Sequence, residues 1–253
     1  MAFMSLLQGV FWDVDGTLAD TEMDGHRPAF NRAFADLDLA IDWEPQLYSD
    51  LLSIPGGMKR VLWFASSRGI SLSEEQLRAI LDRKRFHYKA LARSGAVSLR
   101  PGVRRLVKQL NGAGIDQCIV TSSGLASVEA LLGSTPDLSS FFQGIVTSDD
   151  VKESKPSPQG YLLALERSRL SVDQSLVIED SEAGLEAARA AGLRCLLTPS
   201  PWDQGLRRRF SDAIAVFEHL GDTSQPAPHV SGPPCRDGIV TLEYLQTLGC
   251  SAG

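Results

Sequence analysis

The feature that most constrains the fold is a series of short apolar runs along the chain, each ending in a polar turn. Leu7 to Trp12 is the first, and it stops at Asp13-Val14-Asp15-Gly16-Thr17. Runs of the same kind follow at Cys118-Ile119-Val120, Gly144-Ile145-Val146, Leu176-Val177-Ile178 and Cys195-Leu196-Leu197. Runs this short, rich in β-branched residues and bounded by turn residues, read as buried strands. Helical patterns fill the intervals. Val103, Leu106, Val107 and Leu110 recur at helical spacing, with Pro101 before them and Gly112 and Gly114 after. Glu182 to Ala191 is alanine-rich and stops at Gly192. Strands alternating with helices predict an α/β fold, a doubly wound parallel sheet covered by helices on both faces.

Residues 21–95 break the alternation. They show helical periodicity and no convincing strand, as at Leu77, Ile80 and Leu81 followed by the charged run Asp82 to Lys89. The expected organisation is therefore an α/β core of residues 1–20 and 96–253 with an α-helical domain of residues 21–95 inserted after the first strand. The hinges should lie near Asp20 and Gly95. The stretch after Gly221, rich in Pro and Gly, reads as a tail that wraps the surface.

Composition narrows the function classes. With 25 Lys+Arg against 31 Asp+Glu the net charge is −6, which disfavours a general grip on nucleic acid or an anionic membrane. The opening residues carry neither a basic leader nor a membrane span, because the apolar run meets Asp13 too soon. Cys118, Cys195, Cys235 and Cys250 are widely spaced with no adjacent His, which reads as reduced thiols in a cytoplasmic setting. No long apolar stripe remains after the core is assigned, so a monomer is expected.

Four polar clusters fall at predicted strand ends, where α/β sheets bind their ligands. Asp13-x-Asp15-Gly16-Thr17-Leu18 places two carboxylates together, a repulsion that a hard divalent cation relieves. Thr121-Ser122-Ser123-Gly124 offers hydroxyls and backbone N–H groups at a helix start, suited to an anionic oxygen. Lys155-Pro156 supplies a cation, and Glu179-Asp180-Ser181 further carboxylates. Singly these are a turn, a helix cap, a solvated lysine and a helix-start acid; together, in this order, they point to phosphate chemistry.

This set resembles the motifs of the haloacid dehalogenase superfamily, phosphatase branch, from the first strand to about Pro199. The resemblance implies a Rossmann-like core with residues 21–95 as its helical cap. It implies Asp13 as nucleophile and Asp15 as general acid/base, with Thr121, Ser122 and Lys155 on the transferring phosphoryl group. It also implies Mg²⁺ held by Asp13, Asp15 (through its backbone carbonyl) and Asp180, with Glu179 behind them or as an alternate ligand.

The insert carries a narrower likeness. Asp20-Thr21-Glu22-Met23-Asp24-Gly25-His26-Arg27 and Leu47-Tyr48-x-x-Leu51-Leu52-x-Ile54-x-Gly56-Gly57 resemble the CbbY group, xylulose-1,5-bisphosphate phosphatases that clear a Rubisco inhibitor. That likeness nominates Glu22, His26, Arg27, Tyr48, Gly57 and Arg60 for binding a sugar bisphosphate. Its pattern has Lys after Gly-Gly where this chain has Met58, but Lys59 and Arg60 follow at once. The same carboxylates would serve a β-phosphoglucomutase-like isomerase or a phosphatase for another small phosphorylated sugar; a non-catalytic sugar-phosphate binder is a third reading. Gly112-x-Gly114 precedes a strand, so it is no dinucleotide loop. Arg207-Arg208-Arg209 reads as a solvated helix face, and Cys235 with Cys250 form a disulfide candidate supported by spacing alone.

Overall fold

The computed structural model describes residues 7–54, 56–202 and 210–249. The arginine run at 207–209 and Cys250 lie outside them. The strands are β1 (Gly9–Trp12), β2 (Asp116–Val120), β3 (Gly144–Val146), β4 (Ser175–Glu179), β5 (Arg194–Leu197), β6 (Ala215–Phe217) and β7 (His229–Ser231). They form one sheet in the order β3-β2-β1-β4-β5-β6-β7. Neighbours from β3 to β6 are parallel, and β7 runs antiparallel to β6 at the edge.

Side-chain alternation shows that both faces are covered. Val10 and Trp12 of β1, Ile119 of β2, Leu176 and Ile178 of β4 and Leu196 of β5 join one buried cluster. Phe11, Cys118, Val120, Val177, Cys195 and Leu197, one residue out of phase, join the cluster on the opposite face. A period of two with apolar residues in both phases is what a doubly wound sheet requires. The core helices are α5 (Val103–Gly112), α6 (Leu125–Leu132), α7 (Pro136–Ser139), α8 (Gln159–Ser168), α9 (Glu182–Ala190) and α10 (Leu242–Gly249). In α5, Val103, Leu106, Val107 and Leu110 are all fully buried, as their spacing predicts.

Between β1 and β2 the described residues of the insert contain helices and no strand. A wide π-helical turn (Glu22–His26) leads into α1 (Arg27–Asp36), α2 (Pro45–Leu51), α3 (Gly57–Ser67) and α4 (Glu74–Arg93). These build a separate apolar cluster around Phe30, Phe34, Trp43, Tyr48, Phe64 and Ile80. The two crossings run side by side: Asp20 N–H donates to Ser98 O (3.2 Å) and Arg100 N–H to Leu18 O (3.0 Å).

The end of the chain departs from expectation. Instead of lying on the surface, it adds β7 to the sheet and packs Leu242, Leu245 and Leu248 of α10 into the core. Neither this edge strand nor β6 is among the strands expected from the sequence; β7 is short and largely exposed, so it shows no apolar run. No helix among the described residues is long and apolar enough to cross a membrane.

Candidate active site

The sheet order puts the outward turn of the chain at β1 and β4, so a crevice opens past their carboxyl ends. Asp13 follows β1 directly and Asp180 follows β4. Gly16, at φ +82°, lets the turn after β1 close against β4; a Cβ there would lie 2.0 Å from Asp180 Oδ2.

Lys155 ties the strand ends together. Its Nζ donates to Asp13 Oδ1 (2.6 Å), Glu179 Oε1 (2.5 Å) and Val120 O (2.7 Å). Glu179 is fully buried and its carboxylate accepts throughout. Oε1 takes Lys155 and the Tyr161 hydroxyl (2.7 Å); Oε2 takes Asp180 N–H (3.1 Å) and Ser181 Oγ–H (3.3 Å). Burial and the charges of Asp13 and Glu179 push Asp180 well above the usual carboxylate range. Burial and Glu179 do the same to Asp13, against the pull of Lys155. Burial opposes the Lys155 ammonium, but Asp13 and Glu179 outweigh it and hold Lys155 above its ordinary pKa.

One oxygen each from Asp13, Glu179 and Asp180 lies within 4.8 Å of the others. Three buried carboxylates against one ammonium leave excess negative charge among hard oxygen donors. That donor set, with Asp13 and Asp180 both raised, fits a divalent cation of the Mg²⁺ kind.

Asp15 faces the insert. It accepts from Thr21 Oγ–H (2.5 Å) and from the Ser123 hydroxyl, with His26 Nε2 3.4 Å away. Burial favours the neutral acid, yet the hydrogen bonds from His26, Ser123 and Thr21 hold Asp15 well below the usual range. Lys84 Nζ lies 3.0 Å from His26 Nδ1; since an ammonium only donates, His26 presents its Nε2–H to Asp15. Tyr88 stacks on His26 with ring centroids 4.4 Å apart.

A second polar group sits deeper in the insert. Tyr48 OH donates to Glu22 Oε2 (2.5 Å), and Arg60 reaches Tyr48 OH (3.0 Å), Glu22 Oε2 (3.5 Å) and Ile54 O (2.9 Å). Arg27 donates to Trp43 O (3.1 Å), tying α1 to the loop before α2. Met58 packs beside the insert's apolar cluster, whereas Lys59 is exposed. Gly57 opens α3, where a Cβ would press on Phe30 at 2.8 Å.

The structure thus brings Asp13, Lys155, Glu179 and Asp180 together, joins Asp15 to His26, and joins Glu22, Tyr48 and Arg60. Thr121 is buried at the end of β2 with its hydroxyl accepting from Ser123 N–H (3.0 Å), and Ser122 is exposed. It turns Arg27 toward Trp43 O. Sequence reasoning missed Ser123, Lys84 and Tyr161. Ser123 stands within the quoted Thr-Ser-Ser-Gly motif, while Lys84 looks like any member of a charged run. A cleft of about 590 Å³ beside the crossings, lined by Asp20, Ser98, Arg100 and Pro199, includes neither Asp13 nor Lys155. Converging charge, not cavity size, marks the site.

The sequence matches the haloacid dehalogenase-like hydrolase family over residues 7–192, and the chain belongs to that family. Among curated proteins it is 37% identical to "Protein CbbY, plasmid" of Cupriavidus necator, over 91% of this chain and 92% of that protein. The crystal structure of a Rhodobacter sphaeroides CbbY variant in complex with xylulose-(1,5)bisphosphate superposes with a TM-score of 0.74 at 32% identity, covering 87% of this chain and 98% of that one. A structure of a putative β-phosphoglucomutase from Thermotoga maritima gives 0.67 at 26% identity, covering 83% and 94%.

Proposed function

We propose that this hydrolase removes one phosphate from a small sugar bisphosphate, xylulose-1,5-bisphosphate first among candidates, with Mg²⁺ as cofactor. The observation that carries the reading is the buried Asp13–Lys155–Glu179–Asp180 cluster, with a second polar group of Glu22, Tyr48 and Arg60 in the insert. The likeness to a CbbY structure with xylulose-(1,5)bisphosphate supports the substrate.

Asp13 is the nucleophile, and its attack on phosphorus gives an aspartyl-phosphate. Asp13, the Asp15 backbone carbonyl and Asp180 would hold Mg²⁺, which when bound offsets the charge of the carboxylate and the phosphate dianion. Lys155 neutralises charge from the other side, and Thr121 and Ser122 supply donors to the phosphoryl oxygens. Glu179, with both oxygens already bonded, orients Lys155 and the Asp180 N–H. Asp15 protonates the leaving sugar oxygen and then takes a proton from the attacking water. The three donors on Asp15 favour its carboxylate form. To act first as an acid it must take up a proton from solvent as the leaving oxygen displaces them, and two of them, Thr21 and His26, belong to the insert. Residues 21–95 therefore act as a cap, whose closure over bound substrate would exclude water while the leaving oxygen takes the place of Thr21 and His26 on Asp15.

Glu22, Tyr48 and Arg60 would receive the far end of the substrate, with His26, Gly57 and Lys59 as further contacts. The distal phosphate would take Arg60 from Glu22. The enzyme acts as a monomer in the cytoplasm.

The test is phosphate release from sugar mono- and bisphosphates with and without Mg²⁺. We expect Mg²⁺-dependent release from xylulose-1,5-bisphosphate and much slower release from the monophosphate. Arg60→Ala should raise KM for the bisphosphate about ten- to a hundredfold, the effect of one charge-assisted hydrogen bond of roughly 1.5–3 kcal/mol. Equal kcat/KM for bis- and monophosphate would refute the distal-phosphate reading. Interconversion of glucose phosphates without phosphate release would favour the mutase.

A further inference from the structure

Arg100 stands where the chain returns from the insert to the core, and it is buried. Its guanidinium engages backbone carbonyls. One nitrogen donates to Gly16 O, to Thr198 O (2.5 Å) and to Thr198 Oγ1 (3.5 Å). The other donates to Pro199 O (3.1 Å) and to Glu218 O. These acceptors come from three separate segments: the turn after β1, the loop after β5 and the end of β6. The Arg100 backbone holds the same turn through its N–H bond to Leu18 O (3.0 Å). Burial disfavours its charge, and among opposing charges Asp180 acts most strongly, then Asp20.

The turn it grips touches the carboxylate cluster. A Cβ at Gly16 would lie 2.0 Å from Asp180 Oδ2, so the place of the Gly16 peptide sets the gap between the Asp13–Asp15 turn and Asp180. We infer that Arg100 is a positioning residue for the cation site: by fixing Gly16 O to the ends of β5 and β6, it keeps the Asp13–Asp15 turn in register with Asp180. This rests on the reading of Asp13 and Asp180 as cation ligands. Lysine cannot replace it fully, because a single ammonium lacks the planar fork that spans carbonyls from three directions.

The experiment measures Mg²⁺ binding to the substrate-free protein by calorimetry, for wild type, Arg100→Lys and Arg100→Gln. Residues that orient metal ligands typically change affinity 10–100-fold, so Arg100→Lys should raise the Mg²⁺ Kd about tenfold and Arg100→Gln more. The Mg²⁺ concentration needed for half-maximal phosphate release should rise in parallel. Leu248→Ala, a cavity variant in α10, serves as the control for lost stability and should keep the wild-type Kd. Folded Arg100 variants with unchanged Kd overturn the inference; wild type that binds no Mg²⁺ overturns the cation site itself. Hydrogen exchange of wild type decides the case where neither variant folds. Mg²⁺ should slow exchange in Ser98–Arg100 and Thr198–Ser200 together with Asp13–Leu18, and protection confined to the last segment counts against the clamp.

Discussion

Asp13 and Asp180 carry opposing demands: each must be ionised to hold a cation, yet burial and the neighbouring carboxylates favour their neutral acids. A group whose pKa is raised on folding contributes stability that is present below its unfolded pKa, near 4, and lost as pH rises through the folded value. The cation-free protein should therefore lose stability as pH climbs above that range, and Mg²⁺ should restore it. We expect the rise in Tm on adding Mg²⁺ to be larger at pH 7.5 than at pH 5, since ions bind the deprotonated ligands. Asp180→Asn should remove most of that rise. Differential scanning calorimetry at the two pH values, with an equal or larger rise at pH 5, would count against this assignment. Asp15 behaves in the opposite sense, its pKa depressed by His26, Ser123 and Thr21 against burial, so its contribution is lost only in acid.

At the scale of elements, α9 must lie almost in contact with the end of β4. Gly184, in its first turns, leaves no room: a Cβ there would fall 1.9 Å from Glu179 Cδ and 2.1 Å from both carboxylate oxygens. Ser181 caps α9 by accepting from Gly184 N–H (3.1 Å) and also donates to Glu179. One helix start thus fixes the carboxylate that orients Lys155. Gly184→Ala should gain a little helix propensity, roughly 1 kcal/mol, yet lose more through displacement of Glu179. We expect kcat to fall at least tenfold, with a lower Tm, by steady-state kinetics and thermal melts; wild-type kcat would mean that Glu179 does not set the Lys155 geometry. In the insert, α1 and α4 meet through Asp36, which accepts from Arg83 Nε (2.8 Å) and lies 2.7 Å from His87 Nε2. The charged run of α4 is thus partly a seam between helices and partly, at Lys84, a wall of the site.

At the scale of the whole molecule, polar links between core and insert among the described residues include Thr21 and His26 on Asp15 and Ser49 on Trp202. Trp202 Nε1–H donates to Asp20 Oδ2 (3.2 Å), while its carbonyl accepts from Ser49 Oγ–H of α2 (3.2 Å). If the insert moves as a cap, this residue must change surroundings. Orthophosphate with Mg²⁺ should shift tryptophan emission in the wild type, and Trp202→Phe should lose the shift; unchanged wild-type emission would argue against closure. The strands β1 to β5, the α5 face and the carboxylates at strand ends were legible in the sequence, because each depends on neighbours within a few residues: an apolar period, a turn, a cap. The helical character of the insert was legible for the same reason. The edge of the sheet, the burial of α10, the His26–Lys84 pairing with Asp15 and the Arg100 grip on Gly16, Thr198, Pro199 and Glu218 were not. Those arrangements unite residues far apart in the chain, 118 positions for Arg100 and Glu218, and no local pattern records which distant carbonyl a buried guanidinium will meet once the sheet has closed around it.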